Sequence, residues 1–150
     1  MEVKDMTLDV EQAVTLDVGA DEAFKALLHR LGKGNQAPNG EPMNLEIEPF
    51  AGGRWYRDRG EGVQHFWGHV QVIKPPVLLE ITGPMFMSYP ALNHIEVKLE
   101  PEGDGTRVTL RHRAIGMISE EHRAGITTGW QNILQALKSD CQKADAANGA

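Results

Sequence analysis

The stretch that decides the fold is IEVKLEPEGDGTRVTLRH, residues 95–112, together with SEEHRAGITTGWQNILQALKSDC, residues 119–141. With Gly103 and Asp104 as a two-residue loop, residue types that tolerate positive φ and suit a hairpin, the flanking segments pair in one register. Leu99 then sits opposite Val108, Val97 opposite Leu110 and Ile95 opposite His112 on an apolar face. The other face pairs Glu100 with Arg107, Lys98 with Thr109 and Glu96 with Arg111. A slip of one residue would turn the charges inward, so the register is strongly specified. After the hairpin, Ser119 caps a helix whose first turn holds Glu120 and Glu121, where the helix dipole favours acids. Ile126, Trp130, Ile133, Leu134, Leu137 and Cys141 recur at steps of three and four, a stripe roughly six turns long that must lie on the sheet.

A chain of 150 residues is long enough to bury a real core as one domain. The ordered core is expected over about 10–143, with a flexible small-residue tail at 144–150. A net charge of −6, with lysine and arginine scattered among acids, excludes a nucleic-acid groove, which needs a basic stripe. Neither a membrane span nor a secretory signal is visible, which makes the cytoplasm the default compartment. The single cysteine excludes an internal disulfide, and its place on the apolar stripe reads as a small buried hydrophobe.

Upstream, Val10 to Val18 alternates as a strand, and Ala20 to Leu31 forms a short helix with the stripe Phe24, Leu27, Leu28 and Leu31, stopped at Gly32. Residues 32–43, GKGNQAPNGEPM, form a long polar loop, too long to be a mere connection. It follows a helix and sets Lys33 between two glycines, so it is no phosphate loop. Leu45 and Ile47 belong to a strand ending at Pro49, and Gly52 and Gly53 bend the chain into a strand with Trp55. If Arg59 and Gly60 form a two-residue loop, Trp55 and Arg57 share a face with Gln64, Phe66, Val70 and Val72, leaving His65, Trp67 and His69 outside. A longer loop would exchange the faces. Pro75 and Pro76 end that strand. Val77 to Met87 adds another, with Leu79 and Ile81 inward, before Tyr89 and Pro90 lead into the last hairpin. The order predicts an α+β, helix-grip arrangement: a curved antiparallel sheet of about six to seven strands around a long C-terminal helix.

This order resembles the START-like or SRPBCC superfamily, and within it bacterial relatives of the C-terminal domain of the heat-shock ATPase activator. The resemblance is carried by Ala20 to Phe24, Gly52-Gly53-Arg54-Trp55, Gly68-His69-Val70 through Pro75-Pro76, Gly105-Thr106-Arg107-Val108-Thr109-Leu110, and Gly129-Trp130 with Leu134 and Leu137. It implies a sheet and long helix enclosing an apolar cavity for small molecules, in a superfamily of lipid carriers, hormone and polyketide binders, cyclases and chaperone activators. Two departures stand out. The 32–43 loop replaces a short second helix, and the separate N-terminal docking domain of the chaperone activator proper has no counterpart here, which argues against a cochaperone role.

Among candidate residues, His112 is the sharpest, a histidine on an apolar strand face near the cavity mouth. The bland reading, a buried ring satisfied by a backbone carbonyl, stands ahead of a catalytic one. His65, His69, His94 and His122 lack metal-site spacing; His65 and His69 lie about 13 Å apart along a strand. They read as outer-face positions, with Trp67 between them as a contact patch. Trp55 and Trp130 read as core or cavity wall, and Met85-Phe86-Met87 as a soft run suited to an adaptable pocket. Gly125 and Gly129 each cost about 1 kcal/mol inside a helix, which implies close approach of the sheet or room for a ligand. An inward Arg57 needs Glu46, Glu48 or an anionic ligand group.

The leading expectation is a binding protein for a small, mainly apolar molecule that can carry one acidic group. Its cavity would be lined by Trp55, Arg57, Phe66, Val70, Ile81, Met85, Met87, Ile95, Val97, Leu110, His112, Ile126, Gly129 and Trp130. No cofactor or metal is expected. The alternatives are a cyclase-like or hydrolase-like enzyme using His112 with Arg57 or Tyr89, and an interaction or cochaperone-like module whose outer face, with Trp67, meets a partner or a second copy in a homodimer.

Overall fold

The computed structural model describes residues 2–149, with side chains as far as residue 142. A short 3₁₀ turn leads into seven strands and two helices. These are β1 (Thr7–Leu16), α1 (Ala20–Leu31), β2 (Leu45–Ile47), β3 (Arg54–Asp58), β4 (Gln64–Lys74), β5 (Leu78–Gly83), β6 (Ala91–Glu102), β7 (Gly105–Gly116) and α2 (Glu120–Gly149). The strands form one antiparallel sheet in the order β1-β7-β6-β5-β4-β3-β2. It is a meander from β2 to β7, with β1 laid against β7 and α1 as the connection across. The expected α+β helix-grip arrangement is what the chain adopts. The tail expected to be flexible at 144–150 falls on side chains outside the described residues.

The last hairpin has the expected register, from Leu99 opposite Val108 to Ile95 opposite His112 and Glu96 opposite Arg111. Its inner face is sealed: Val97, Val108, Leu110 and His112 have no exposed surface. Outside, Arg111 reaches past Glu96 to Asp9 on β1, at 2.8 Å, because β1 flanks β7 on its other side. Ser119 caps α2 through its Oγ, which accepts the His122 N–H at 3.2 Å. Ile126, Trp130, Leu134, Leu137 and Cys141 are buried beneath the helix. Arg123 donates to the carbonyls of Thr7 and Asp5, and Gln12 donates to that of Thr127, tying the first half of α2 to the β1 edge. Arg30 of α1 grips Asp140 of α2 at 2.6 Å.

The β3–β4 hairpin corrects the expected one. Asp58 pairs with Gln64, so the loop runs through 59–63 rather than through Arg59 and Gly60 alone. Turn bonds from Arg59 N–H to Val63 and from Val63 N–H to Gly60 close it. A bulge then sets Tyr56 opposite Phe66 but Trp55 opposite Gly68, and the extra residue, Trp67, swings inward. Trp67 is 7 % exposed and packs edge-on against Trp55, whereas Phe66 lies outside at 39 %. A second bulge, between Val70 and Val72, keeps Val70 buried beside Ile81 and puts Val72 opposite Glu80 on the outer face. His65 shares the inner side with Arg57, and only His69 of the outer-face trio stays outside. Alternation alone could not reveal either bulge.

Strand ends also differ. β1 spans Thr7–Leu16, not Val10 to Val18, and β5 stops at Gly83. Met85 then takes a left-handed φ of 56° and donates its N–H to the Trp67 carbonyl, so residues 84–87 fold over the end of the sheet. Among the described residues, no helix is long and apolar enough to cross a membrane.

Candidate functional site

Between the first half of α2 and the end of the sheet lies a cleft of about 400 Å³. Its wall is built by Trp55 on β3, Trp67 on β4, Met85 and Phe86 after β5, and Ile126, Trp130 and Ile133 on α2. Glu121, His122 and Asn35 complete it. The chain has three tryptophans, and all three line this one cleft. A volume of this size with a mainly apolar, aromatic wall and few polar groups is the usual constitution of a small-molecule site.

The helix glycines explain how the space arises. A Cβ placed on Gly125 or Gly129 would meet nothing within 4 Å. Close approach of the sheet is therefore not their reason; they border the cleft, and larger side chains there would project into it. Gly129 also borders a second cleft of about 470 Å³, which shares Asn35 and Ile133 with the first. Its wall is the more polar of the two, with Arg30, Gln36 and Asn132 beside Ala37, Pro38 and Ala136, under the 32–43 loop. That loop is pinned by a bridge between Gln36 and Pro42, and no helix forms in it.

His112 lies below the cleft, not in it. The ring is fully buried between two side chains: Trp130 Nε1–H donates to its Nδ1 at 2.9 Å, and its Nε2 lies 2.6 Å from Asn93 Oδ1. An indole nitrogen can only donate, so the ring proton resides on Nε2 and is given to Asn93. Asn93 in turn donates to the carbonyls of Gly83 and Pro84, at 3.2 Å each. The chain of bonds ties α2, β7, β6 and the turn after β5 into one satisfied network. Burial pushes the His112 pKa down to about 4. A ring held neutral and capped on both nitrogens has no proton to trade with a ligand, so the pairing of His112 with Arg57 or Tyr89 in an enzyme is not what the structure builds. The ring's partners are side chains, not the backbone carbonyl expected of a buried histidine.

Arg57 is half-buried on β3 and donates Nε–H to the Met43 carbonyl at 2.8 Å. The carboxylates expected to meet it are engaged elsewhere: Glu48 pairs with Arg54, and Glu46 accepts from the Tyr56 hydroxyl. Of the residues expected to line a cavity, Trp55, Met85, Ile126, Gly129 and Trp130 border the cleft. Val70, Ile81, Met87, Ile95, Val97 and Leu110 are core beneath it, and Phe66 is outside.

The reading of the sequence missed His122 and Tyr89 as neighbours. The Tyr89 hydroxyl accepts the Ser119 N–H at 3.3 Å and lies within hydrogen-bond distance, 2.7 Å, of His122 Nδ1. Phe86 packs edge-on to the same imidazole, at 4.8 Å between centroids. The signal was a histidine one helical turn before Ile126 on the buried stripe. Among the described residues, no three potential metal ligands cluster.

This architecture has relatives. Residues 38–140 match the family model described as activator of Hsp90 ATPase homolog 1-like protein. The chain belongs to that family. No curated protein matches the sequence. Among solved structures, the chain is similar to a protein of Rhizobium leguminosarum, at 14 % identity and TM-score 0.70, covering 91 % of this chain and 95 % of that one. It is also similar to StfQ, a di-domain ARO/CYC protein of the steffimycin biosynthetic pathway, at 13 % identity and TM-score 0.68, covering 96 % of this chain and 53 % of that one. CalU16 of Micromonospora echinospora shares 25 % identity at TM-score 0.53, over 88 % of this chain and 71 % of that one. With the first two, the likeness is one of fold.

Proposed function

We propose that this protein binds a small, mainly apolar molecule in the cleft between α2 and the sheet. The observation that carries the reading is the wall itself: three tryptophans, Phe86, Met85 and Ile126 face a space that Gly125 and Gly129 leave open. Each glycine forgoes about 1 kcal/mol of helix propensity without a packing gain, a cost that makes sense if the space is used. Native mass spectrometry of protein purified from its own host tests it. A retained small molecule, lost on unfolding, is the expected result; a bare polypeptide mass that stays bare on incubation with a neutral apolar compound would refute it.

A second reading has one observation in its favour, the Tyr89–His122 pair at 2.7 Å, whose imidazole lies in the cleft wall. A phenol bonded to an imidazole can hold and pass a proton, and a neighbour of like fold carries the description ARO/CYC. Turnover of a bound compound that Tyr89→Phe abolishes, with affinity unchanged, would replace the binding reading with this one. The outer-face interaction reading loses its key residue, since Trp67 lies inside.

A further inference from the structure

We infer that the ligand is a neutral, flat aromatic molecule bearing a carbonyl or hydroxyl oxygen, which the side-chain amide of Asn35 binds where the apolar and polar clefts meet. This rests on the binding role proposed above and names the class of molecule it serves.

Asn35 is the residue that decides it. Only 7 % of it is exposed, yet its side chain makes no hydrogen bond to any described residue, while its amide is not among the atoms sealed from solvent. What access it has is to the two clefts, both of which it lines. Its backbone is fixed on both sides, N–H to the Gly32 carbonyl and carbonyl to the Met43 N–H, each at 3.1 Å. The amide is thus held in place at the junction by a loop that spends no hydrogen bond on it. A largely buried amide whose access to partners runs through the clefts favours a ligand that brings an oxygen to it. A carbonyl would accept from Nδ2, and a hydroxyl could use either end of the amide.

A second polar group in the same wall lacks a partner. Trp67 Nε1–H is buried and bonded to nothing, whereas Trp55 donates to the Leu31 carbonyl and Trp130 to His112. That indole nitrogen is sealed from the cleft, so the amide of Asn35 is the group that asks for a polar atom, on a molecule whose body meets aromatic rings, which favours an oxygen-substituted aromatic over an aliphatic chain.

Charge argues for neutrality. Arg30, in the polar cleft, is already neutralised by Asp140 at 2.6 Å, and it also donates to the Gly34 carbonyl. Arg57 does not border either cleft. Glu121 does border the apolar one, so an anionic ligand would gain no free cation and would face a like charge. The acidic group once expected of the ligand has no partner here.

Three probes that share one ring system test this: naphthalene, 2-acetylnaphthalene and 2-naphthoate, titrated against tryptophan fluorescence in the wild type and in Asn35→Ala. The wild type should bind 2-acetylnaphthalene roughly tenfold more tightly than naphthalene, and 2-naphthoate more weakly than either. Asn35→Ala should erase the advantage of the acetyl compound, so that it binds that variant no more tightly than naphthalene does. In the wild type, whatever the variant does, the Asn35 side-chain amide resonances should move with 2-acetylnaphthalene and stay with naphthalene. Equal affinity of the two neutral probes, an acetyl advantage that survives in Asn35→Ala, or tightest binding of 2-naphthoate would overturn the inference while leaving the binding role standing. Failure of all three probes to bind would overturn the binding role itself, and the inference with it.

Discussion

Replacing His112 by phenylalanine makes the buried network measurable. At neutral pH the substitution leaves two buried groups unpaired, the Trp130 N–H and Asn93 Oδ1, which the imidazole now satisfies at 2.9 and 2.6 Å. Each orphan costs about 1–3 kcal/mol, so His112→Phe should lose about 2–6 kcal/mol, a large part of the stability of an ordinary domain. Acid should then narrow the gap. The unfolded chain protonates this histidine near 6.5, while the folded ring, kept neutral by burial, resists until about 4. Between those values the unfolded state binds more protons, so wild-type stability falls as pH drops through that window, by about 3 kcal/mol from this residue. The phenylalanine variant has no such loss, and every other titrating group is common to both proteins. Urea denaturation of the pair at pH 7, 6, 5 and 4 reads the difference directly. A gap that does not change between pH 7 and 4, or a variant as stable as wild type at pH 7, would refute the network and the neutral ring.

Other outcomes follow from single contacts. Burial pushes the Cys141 thiol up to about 11, so a disulfide reagent at pH 8 should leave the native protein nearly unlabelled and modify it fully in guanidinium. The ion pair joining α1 to α2 is largely shielded, with Arg30 and Asp140 side chains 13 % and 28 % exposed, so Asp140→Asn should cost about 1–3 kcal/mol in urea denaturation; no change would mean that the pair contributes nothing. Of the three indole N–H resonances, the one that disappears in Trp67→Phe should lie furthest upfield in a proton–nitrogen correlation spectrum, since the other two are hydrogen-bonded and Trp67 is not.

What was legible in the sequence was whatever a single element or a single turn determines. α1 has the bounds its stripe and Gly32 imply, and the β6–β7 hairpin has the register its two faces demand. The cleft was legible where one helix carries it, through Gly129, Ile126 and Trp130. It was hidden where three elements meet. Nothing local announces that a bulge opposite Trp55 and Tyr56 turns Trp67 inward, since a bulge breaks the alternation by which faces are read. Trp130, the second partner of His112, comes from α2, and Asp9, the partner of Arg111, from β1, so the β6–β7 hairpin taken alone contains neither. Asn35 sat in a loop that alternation and helical periodicity both leave undescribed, and the α2 residues that share its clefts, Gly129 and Ile133, lie far along the chain.

The account stands or falls on the cleft, and energy transfer from tryptophan to the neutral apolar probe N-phenyl-1-naphthylamine tests it most directly, because all three donors line the proposed site. Wild type should show saturable transfer with one probe per chain. Gly129→Leu, whose Cβ would meet no atom within 4 Å, should fold with unchanged or raised melting temperature and lose that transfer. Unaltered probe binding in a folded Gly129→Leu variant, or no saturable transfer in the wild type, would contradict the claim that this protein holds its ligand between α2 and the sheet.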